Sequence, residues 1–298
     1  MSMHLSAQTW MRPEPLSVTL ARLQRLGYSS VELAGEPEWY PISETRKLLQ
    51  EYGIRCWGTV TIQTGARDLT AADPQDRRNT VIYMKQVVSM CAELGGEIVT
   101  VVPGRVGKTV ATATAEEEWR WAVDGLREVT AFAKEYNIRI GLEPLNRFET
   151  HFLNRTDQAL ALADEVGLDC GIAFDPFHVA LEEKDLYAAM KACGSRMVDF
   201  HVADNNRLAA GDGAFDWPKI VATLKEIDYR GGLTFEAMPP VDRSPLGNFG
   251  RTQLQISPVD APAGQLQFIL DHGSGVLSNQ YYTGLLERTA ATLRPLMA

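Results

Sequence analysis

Cysteine is scarce. The 298 residues hold four, at positions 56, 91, 170 and 193, and no two stand in a CxxC pair. That argues against a thiolate zinc site and a disulfide framework, and reads as reduced core thiols. Basic residues are in deficit: 29 Lys and Arg against 38 Asp and Glu give a net charge of −9 and a pI near 5.2. An acidic surface repels phosphate backbones, and no run of lysines and arginines makes a local exception, so no nucleic-acid partner is expected. Long apolar runs are missing too; nothing approaches the ~20 residues that cross a bilayer, so no membrane partner is expected. The opening MSMHLSAQTW has neither a basic stretch nor a long apolar one and does not read as a signal peptide. A cytoplasmic protein is expected.

What the chain does have is rhythm. Hydrophobic content of 45% with 22% charged residues suits a full globular core. Short β-rich runs predict strands over residues 4–9, 29–33, 54–62, 97–102, 138–144, 170–175, 197–203 and 233–236. Helical spacing fills the gaps, over 16–26, 43–52, 74–94, 156–166, 185–192 and 217–227, and at the end over 276–295. The clearest helix follows Thr114 and Glu117, a capping box, with Trp119, Ala122, Val123, Leu126, Val129 and Ala133 at helical intervals. Alternation of this kind implies parallel strands joined by right-handed crossovers. Eight such units predict one α/β domain over 1–298, a (β/α)8 TIM barrel, whose active site lies at the carboxyl ends of its strands. One segment breaks the rhythm. Residues 239–275 are rich in proline and glycine around a short apolar stretch, 266–270, and form a long insertion between strand 8 and the final helix. It leaves the active end of the barrel, which predicts a lid or a subunit contact.

Four strand exits in a row carry ligand-type side chains: Glu143 in IRIGLEPLNRFE, Asp175 in GIAFDPFH, His201 in MVDFHVAD and Glu236 in GLTFEAM. Any one of these acids could be a helix cap or a salt-bridge partner. Their recurrence at the same point of four consecutive units predicts one metal site. Three carboxylates and one imidazole form a hard, oxygen-rich set that suits Mn²⁺ first, with Mg²⁺ or Co²⁺ also possible.

The segments LEPLNRFETHFLN, DPFHVALEEKD, HVADNNRLAAGDGAFDW and LKEIDYRGGLTFE resemble the xylose isomerase-like barrels, and within them the ketose 3-epimerases. The resemblance implies a sugar substrate and an isomerase. Glu143, Asp175, His201 and Glu236 would hold a divalent metal that grips a ketose by its C2 carbonyl and C3 hydroxyl and stabilises the ene-diolate. Glu143 and Glu236 would double as the catalytic acid–base pair on opposite faces of C3. By the same resemblance His178 and Arg207 would bind substrate oxygens, and Glu149 would contact substrate or orient His178. Self-association as a dimer or tetramer is implied as well.

Rival readings are an aldose–ketose or hydroxypyruvate-type isomerase, a metal-dependent keto-polyol dehydratase or lyase, and a non-catalytic sugar-binding protein. An apurinic endonuclease shares the superfamily fold, but its trinuclear zinc site needs many histidines and this chain has five. Trp10, Trp39 and Trp57 are candidates for lining the sugar pocket, or else ordinary core or rim aromatics. The PGRVGK loop, residues 103–108, could cradle a phosphate, though it lacks the full phosphate-loop spacing; binding sugar hydroxyls or simply turning the chain fits it better.

Overall fold

The structure is a computed structural model, and it describes residues 2–167, 170–240, 260, 263–271 and 275–298. Eight parallel strands close into a barrel in sequence order: β1 His4–Gln8, β2 Ser30–Ala34, β3 Arg55–Val60, β4 Ile98–Val101, β5 Arg139–Leu142, β6 Cys170–Phe174, β7 Met197–Val202 and β8 Gly232–Phe235. Closure is direct, with Leu5 of β1 opposite Leu233 of β8. Helices α1 Leu16–Arg25, α2 Ile42–Tyr52, α3 Pro74–Glu93, α4 Ala115–Glu135, α5 Thr156–Val166, α6 Pro176–Val179, α7 Leu186–Cys193 and α8 Trp217–Glu226 follow the strands. The capping box at Thr114 forms, each partner's side chain satisfying the other's free backbone N–H.

Two helices depart from the sequence reading. One is the single turn α6, which starts where Asp175 accepts from the Phe177 amide and Pro176 fills the first position. The other is α9, Ala263–Asp271, which takes up the apolar stretch placed above in a long loop. Nine residues between proline-rich flanks are too few for a helical period to stand out. The last helix, α10 Asn279–Met297, starts three residues later than its pattern suggested, because Ser278 caps it. The lid or subunit contact expected of residues 239–275 falls partly outside the described residues.

The barrel floor is built from two irregularities. Between β2 and β3 the register slips after Val31, so β3 carries one extra residue, Trp57. Between β6 and β7 it slips after Ile172, so β7 carries an extra Val198. Such bulges re-aim side chains. Here Trp57 and Val198 meet Ile98 in a small cluster apart from the main core. Gly171 makes room for it, since a Cβ there would sit 2.4 Å from Val198 Cγ1. The floor is therefore solid, and polar residues above it sit in a closed-bottomed well.

Candidate metal centre and substrate pocket

Glu143, Asp175 and Glu236 each lie one residue beyond the end of their strand, and His201 is the last residue but one of β7. Strand pairing continues through them, the Glu143 amide donating to Val101 O and the Glu236 amide to Val202 O, both at 2.9 Å. The barrel thus fixes their backbones before any side-chain contact is made. One donor atom from each of the four lies within 4.8 Å of the others, and all four residues are buried. His201 Nδ1 is 3.0 Å from Glu143 Oε1 and 2.8 Å from Glu236 Oε2. The second of these contacts is not aligned as a hydrogen bond, and Glu236 Oε2 has no hydrogen-bond partner among the described residues. A buried carboxylate oxygen, close to an imidazole nitrogen but not bonded to it, is what two ligands of one cation present. Spacings near 3 Å also match neighbouring ligands around a dication with bonds of about 2.1 Å. The residues fit such an ion.

Their charges suit one. Burial pushes the Glu143 carboxyl up to about 8, against the pull of the neighbouring His201 charge. Burial also raises Asp175, although Arg207 opposes it. Burial would depress the His201 imidazolium, but Glu143, Glu236 and Glu32 hold it well above its usual range. Glu236 shifts the other way: burial would raise its carboxyl, but the His201 and Arg207 charges hold it below the usual range. The cluster thus encloses three carboxylates away from water beside one imidazole and one guanidinium, a setting to which a dication is suited.

Beneath this cluster lies a second polar layer that the sequence reading missed. Asp199 and Glu32, both fully buried, approach the other face of the same imidazole. Asp199 had a signal: it stands two residues before His201 on one strand and so shares its face. Glu32 in SVELA had only the oddity of a carboxylate among apolar residues.

Above the cluster opens a cavity of about 420 Å³. Glu143, Glu149, His178, Arg207 and Glu236 line its polar end. Arg207 sits in the left-handed region at φ 59°, a conformation that costs a non-glycine residue about 1 kcal/mol or more. Its amide donates to Asp204 O at 2.9 Å, closing the turn that holds it there. The guanidinium donates to Asp175 Oδ2 at 2.7 Å and to His178 Nε2 at 2.8 Å, and lies over the Phe177 ring. His178 is buried, and desolvation together with the Arg207 charge drives its pKa well below the usual value, so it is neutral. Asn146, also missed, places its Nδ2 2.8 Å from both His178 Nδ1 and Glu149 Oε1. Glu149 itself stands 3.8 Å from His178 Nδ1.

Away from these charged residues the cavity is mostly apolar, although Thr61, Gln63 and Thr64 also line it. Trp10, Ile62, Val106 and Met238 line it, and Phe268 of α9 completes it, packed edge-on against Trp10 with ring centroids 5.1 Å apart. Trp39 supports Phe268 from behind, at 6.5 Å. Trp57 does not belong here; the bulge sends it to the floor. Nor is the PGRVGK loop a phosphate cradle. Lys108 is buried and its ammonium is consumed by Asp68, Thr70 and Glu118, at 2.9 to 3.3 Å. The loop is a wall, held down by its lysine.

A family profile described as Xylose isomerase-like TIM barrel matches residues 20–247. An L-ribulose 3-epimerase of Methylomonas sp. (strain DH-1) is 30% identical over 221 residues, covering 73% of this chain and 77% of that protein. A D-psicose 3-epimerase of Enterocloster bolteae is 29% identical over 226 residues, covering 72% and 74%. Among solved structures, a D-allulose 3-epimerase from Methylomonas sp. in complex with D-allulose superposes with a TM-score of 0.82 at 24% identity, covering 99% of this chain and 97% of that one.

Proposed function

We propose that this chain, which belongs to the xylose isomerase-like TIM barrel family and is similar to its ketose 3-epimerases, is a sugar isomerase that inverts C3 of a ketose. The observation that carries the reading is the pair Glu143 and Glu236. They come from β5 and β8, and their carboxylates converge on one imidazole nitrogen from two sides.

Glu143, Asp175, His201 and Glu236 would hold a divalent cation, Mn²⁺ first and Mg²⁺ or Co²⁺ next. When bound, it supplies Lewis-acid polarisation of the substrate carbonyl. The protein supplies the proton traffic. One glutamate removes the C3 proton, and the other returns a proton on the opposite face, so the stereocentre inverts and mass is conserved. Arg207, 3.6 Å from Glu236 Oε2, keeps the two glutamates unequal and offers positive charge to an oxygen gaining negative charge. His178 and Glu149 face the same space and orient the sugar's hydroxyls. Trp10 and Phe268 close the far end and limit the water that could quench a carbanionic carbon.

A panel of free and phosphorylated ketoses, incubated with the protein and Mn²⁺ in D₂O, tests this. Deuterium at C3 of a C3 epimer is the expected result. Label at a terminal carbon would mean aldose–ketose isomerisation. Loss of water from the product would mean dehydration.

A further inference from the structure

We infer that Asp199, seconded by Glu32, is a positioning residue that fixes the ring and tautomer of His201 so that Nδ1 turns a lone pair to the three carboxylates. This rests on the cation site proposed above. His201 Nε2 lies 3.1 Å from Asp199 Oδ2 and 3.2 Å from Glu32 Oε2. Carboxylates face both ring nitrogens: Nδ1 is hydrogen-bonded to Glu143 Oε1 at 3.0 Å, and the Gln8 amide nitrogen lies 3.4 Å from Nε2. Once a cation takes the lone pair of Nδ1, the one proton of the neutral ring sits on Nε2, on the side of Asp199 and Glu32.

Asp199 is itself immobilised. Its Oδ1 accepts from Trp57 Nε1 at 2.9 Å and its Oδ2 from Thr100 Oγ1 at 3.1 Å. Trp57 is the extra residue of the β3 bulge, and Asp199 follows the extra residue of the β7 bulge. The two irregularities of the barrel therefore serve one contact: they bring the indole N–H under the carboxylate that orders the histidine. Glu32 is held more lightly, by Gln8 Nε2 at 3.1 Å. Neither carboxylate lines the cavity, so neither can touch a sugar.

Glu32, Asp199 and His201 also bring donor atoms within 4.8 Å of one another, which suggests a second cation. One neutral imidazole has a single lone pair and cannot serve two ions. Glu236 Oε2 and Glu32 Oε1 both accept from nothing described, but the oxygens facing Nε2 already accept from Gln8 and Thr100, and only the Nδ1 side brings four ligand residues together. The lone pair thus belongs on the Nδ1 side.

Asp199→Asn keeps the shape. With Oδ1 still accepting from Trp57, the new amide nitrogen faces Nε2 as a donor and forces the ring proton onto Nδ1. Calorimetric titration of Mn²⁺ into the metal-free protein should give one site in wild type, with the dissociation constant raised about 10- to 100-fold in Asp199→Asn. Turnover at saturating Mn²⁺ should return to within about threefold of wild type, a split that a general loss of folding would not produce. Glu32→Gln should weaken Mn²⁺ less, and Thr100→Val less again. A folded Asp199→Asn that binds Mn²⁺ as wild type does, or wild type taking up two ions of which Asp199→Asn loses one, overturns the positioning role and leaves the cation site standing. If Asp199→Asn does not fold, Glu32→Gln with unchanged Mn²⁺ affinity overturns it. Wild type that binds no dication removes both readings.

Discussion

The two halves of this barrel are built alike and used differently. Strands β5 to β8 exit on Glu143, Asp175, His201 and Glu236, which converge on a single point. At the matching ends, β1 to β4 lead into the loops that supply Trp10, Ile62, Val102 and Val106, which enclose space. On the proposed function, one half carries chemistry and the other carries shape. The difference lies in how much residue type matters. A glutamate at the exit of β5 has few substitutes, whereas an apolar wall can be made by many side chains. Among the described first-half residues, Gln8 and Glu32 reach His201 itself, from below and across the well.

The comparison is tested hardest in the second half. Glu143→Gln and Glu236→Gln should each lower kcat by about 10²- to 10⁴-fold, the worth of a placed acid or base, while a ketose still binds. Steady-state kinetics with a separate binding titration measures this, and near-full activity in either variant would break the two-carboxylate assignment. Chelation should act on the same half. Removing the cation should abolish turnover, and adding Mn²⁺ back should restore it. It should also lower the melting temperature, since an ion present at a hundred times its dissociation constant stabilises the fold by about 2.7 kcal/mol.

In the first half, stability should respond before chemistry does. Glu14 is buried between Arg12 and Arg22, pairing with both. Arg12 Nε donates to Leu277 O at 2.8 Å and Arg22 Nη2 to Asn279 Oδ1 at 2.7 Å, so the network ties the loop after β1 to the start of α10. Glu14→Ala leaves two buried guanidinium groups without their carboxylate and should cost about 3–5 kcal/mol in denaturant unfolding. The surviving folded protein should keep its kcat. Phe268→Ala, which removes the roof of the apolar end, should raise KM about 10-fold with kcat nearly unchanged, the pattern of lost uniform binding. A large fall in kcat instead would mean that the wall takes part in the chemistry and that the division between halves is false.

This division also explains what could be read in advance. The barrel was legible because eight strand-and-helix units leave few other topologies, and the convergence of Glu143, Asp175, His201 and Glu236 because acids and histidine at buried strand exits are costly without a purpose. The role of the PGRVGK loop stayed open between turning the chain and binding sugar hydroxyls or a phosphate, because glycines and a lysine look alike whether they bind a ligand or fold inward. Only the partners Asp68 and Glu118, 40 and 10 residues away, decide which. Trp57 was obscured by a bulge, which shifts the phase of a strand without changing its composition, whereas Asp199 could have been read from its place two residues before His201. The helix α9 was hidden by its own brevity.

The smallest effect belongs at the seam between the halves. Glu118, at the start of α4, holds Lys108 from the loop after β4, and its Oε2 lies 2.5 Å from His151 Nε2 in the loop after β5. Burial would raise its carboxyl, but the hydrogen bonds from His151 and the Thr112 amide and the Lys108 charge outweigh it, so its folded pKa lies below the ordinary value. A carboxyl whose pKa falls on folding adds stability that is fully present above its unfolded pKa, near 4.3, and drains away as the pH drops through the folded value. Glu118→Gln should therefore melt below wild type at pH 7, and the gap should narrow as the pH falls beneath about 4. A gap that stays constant over that range would mean the side chain acts through packing alone, and that nothing ionic joins the wall of the pocket to the half proposed to hold the metal.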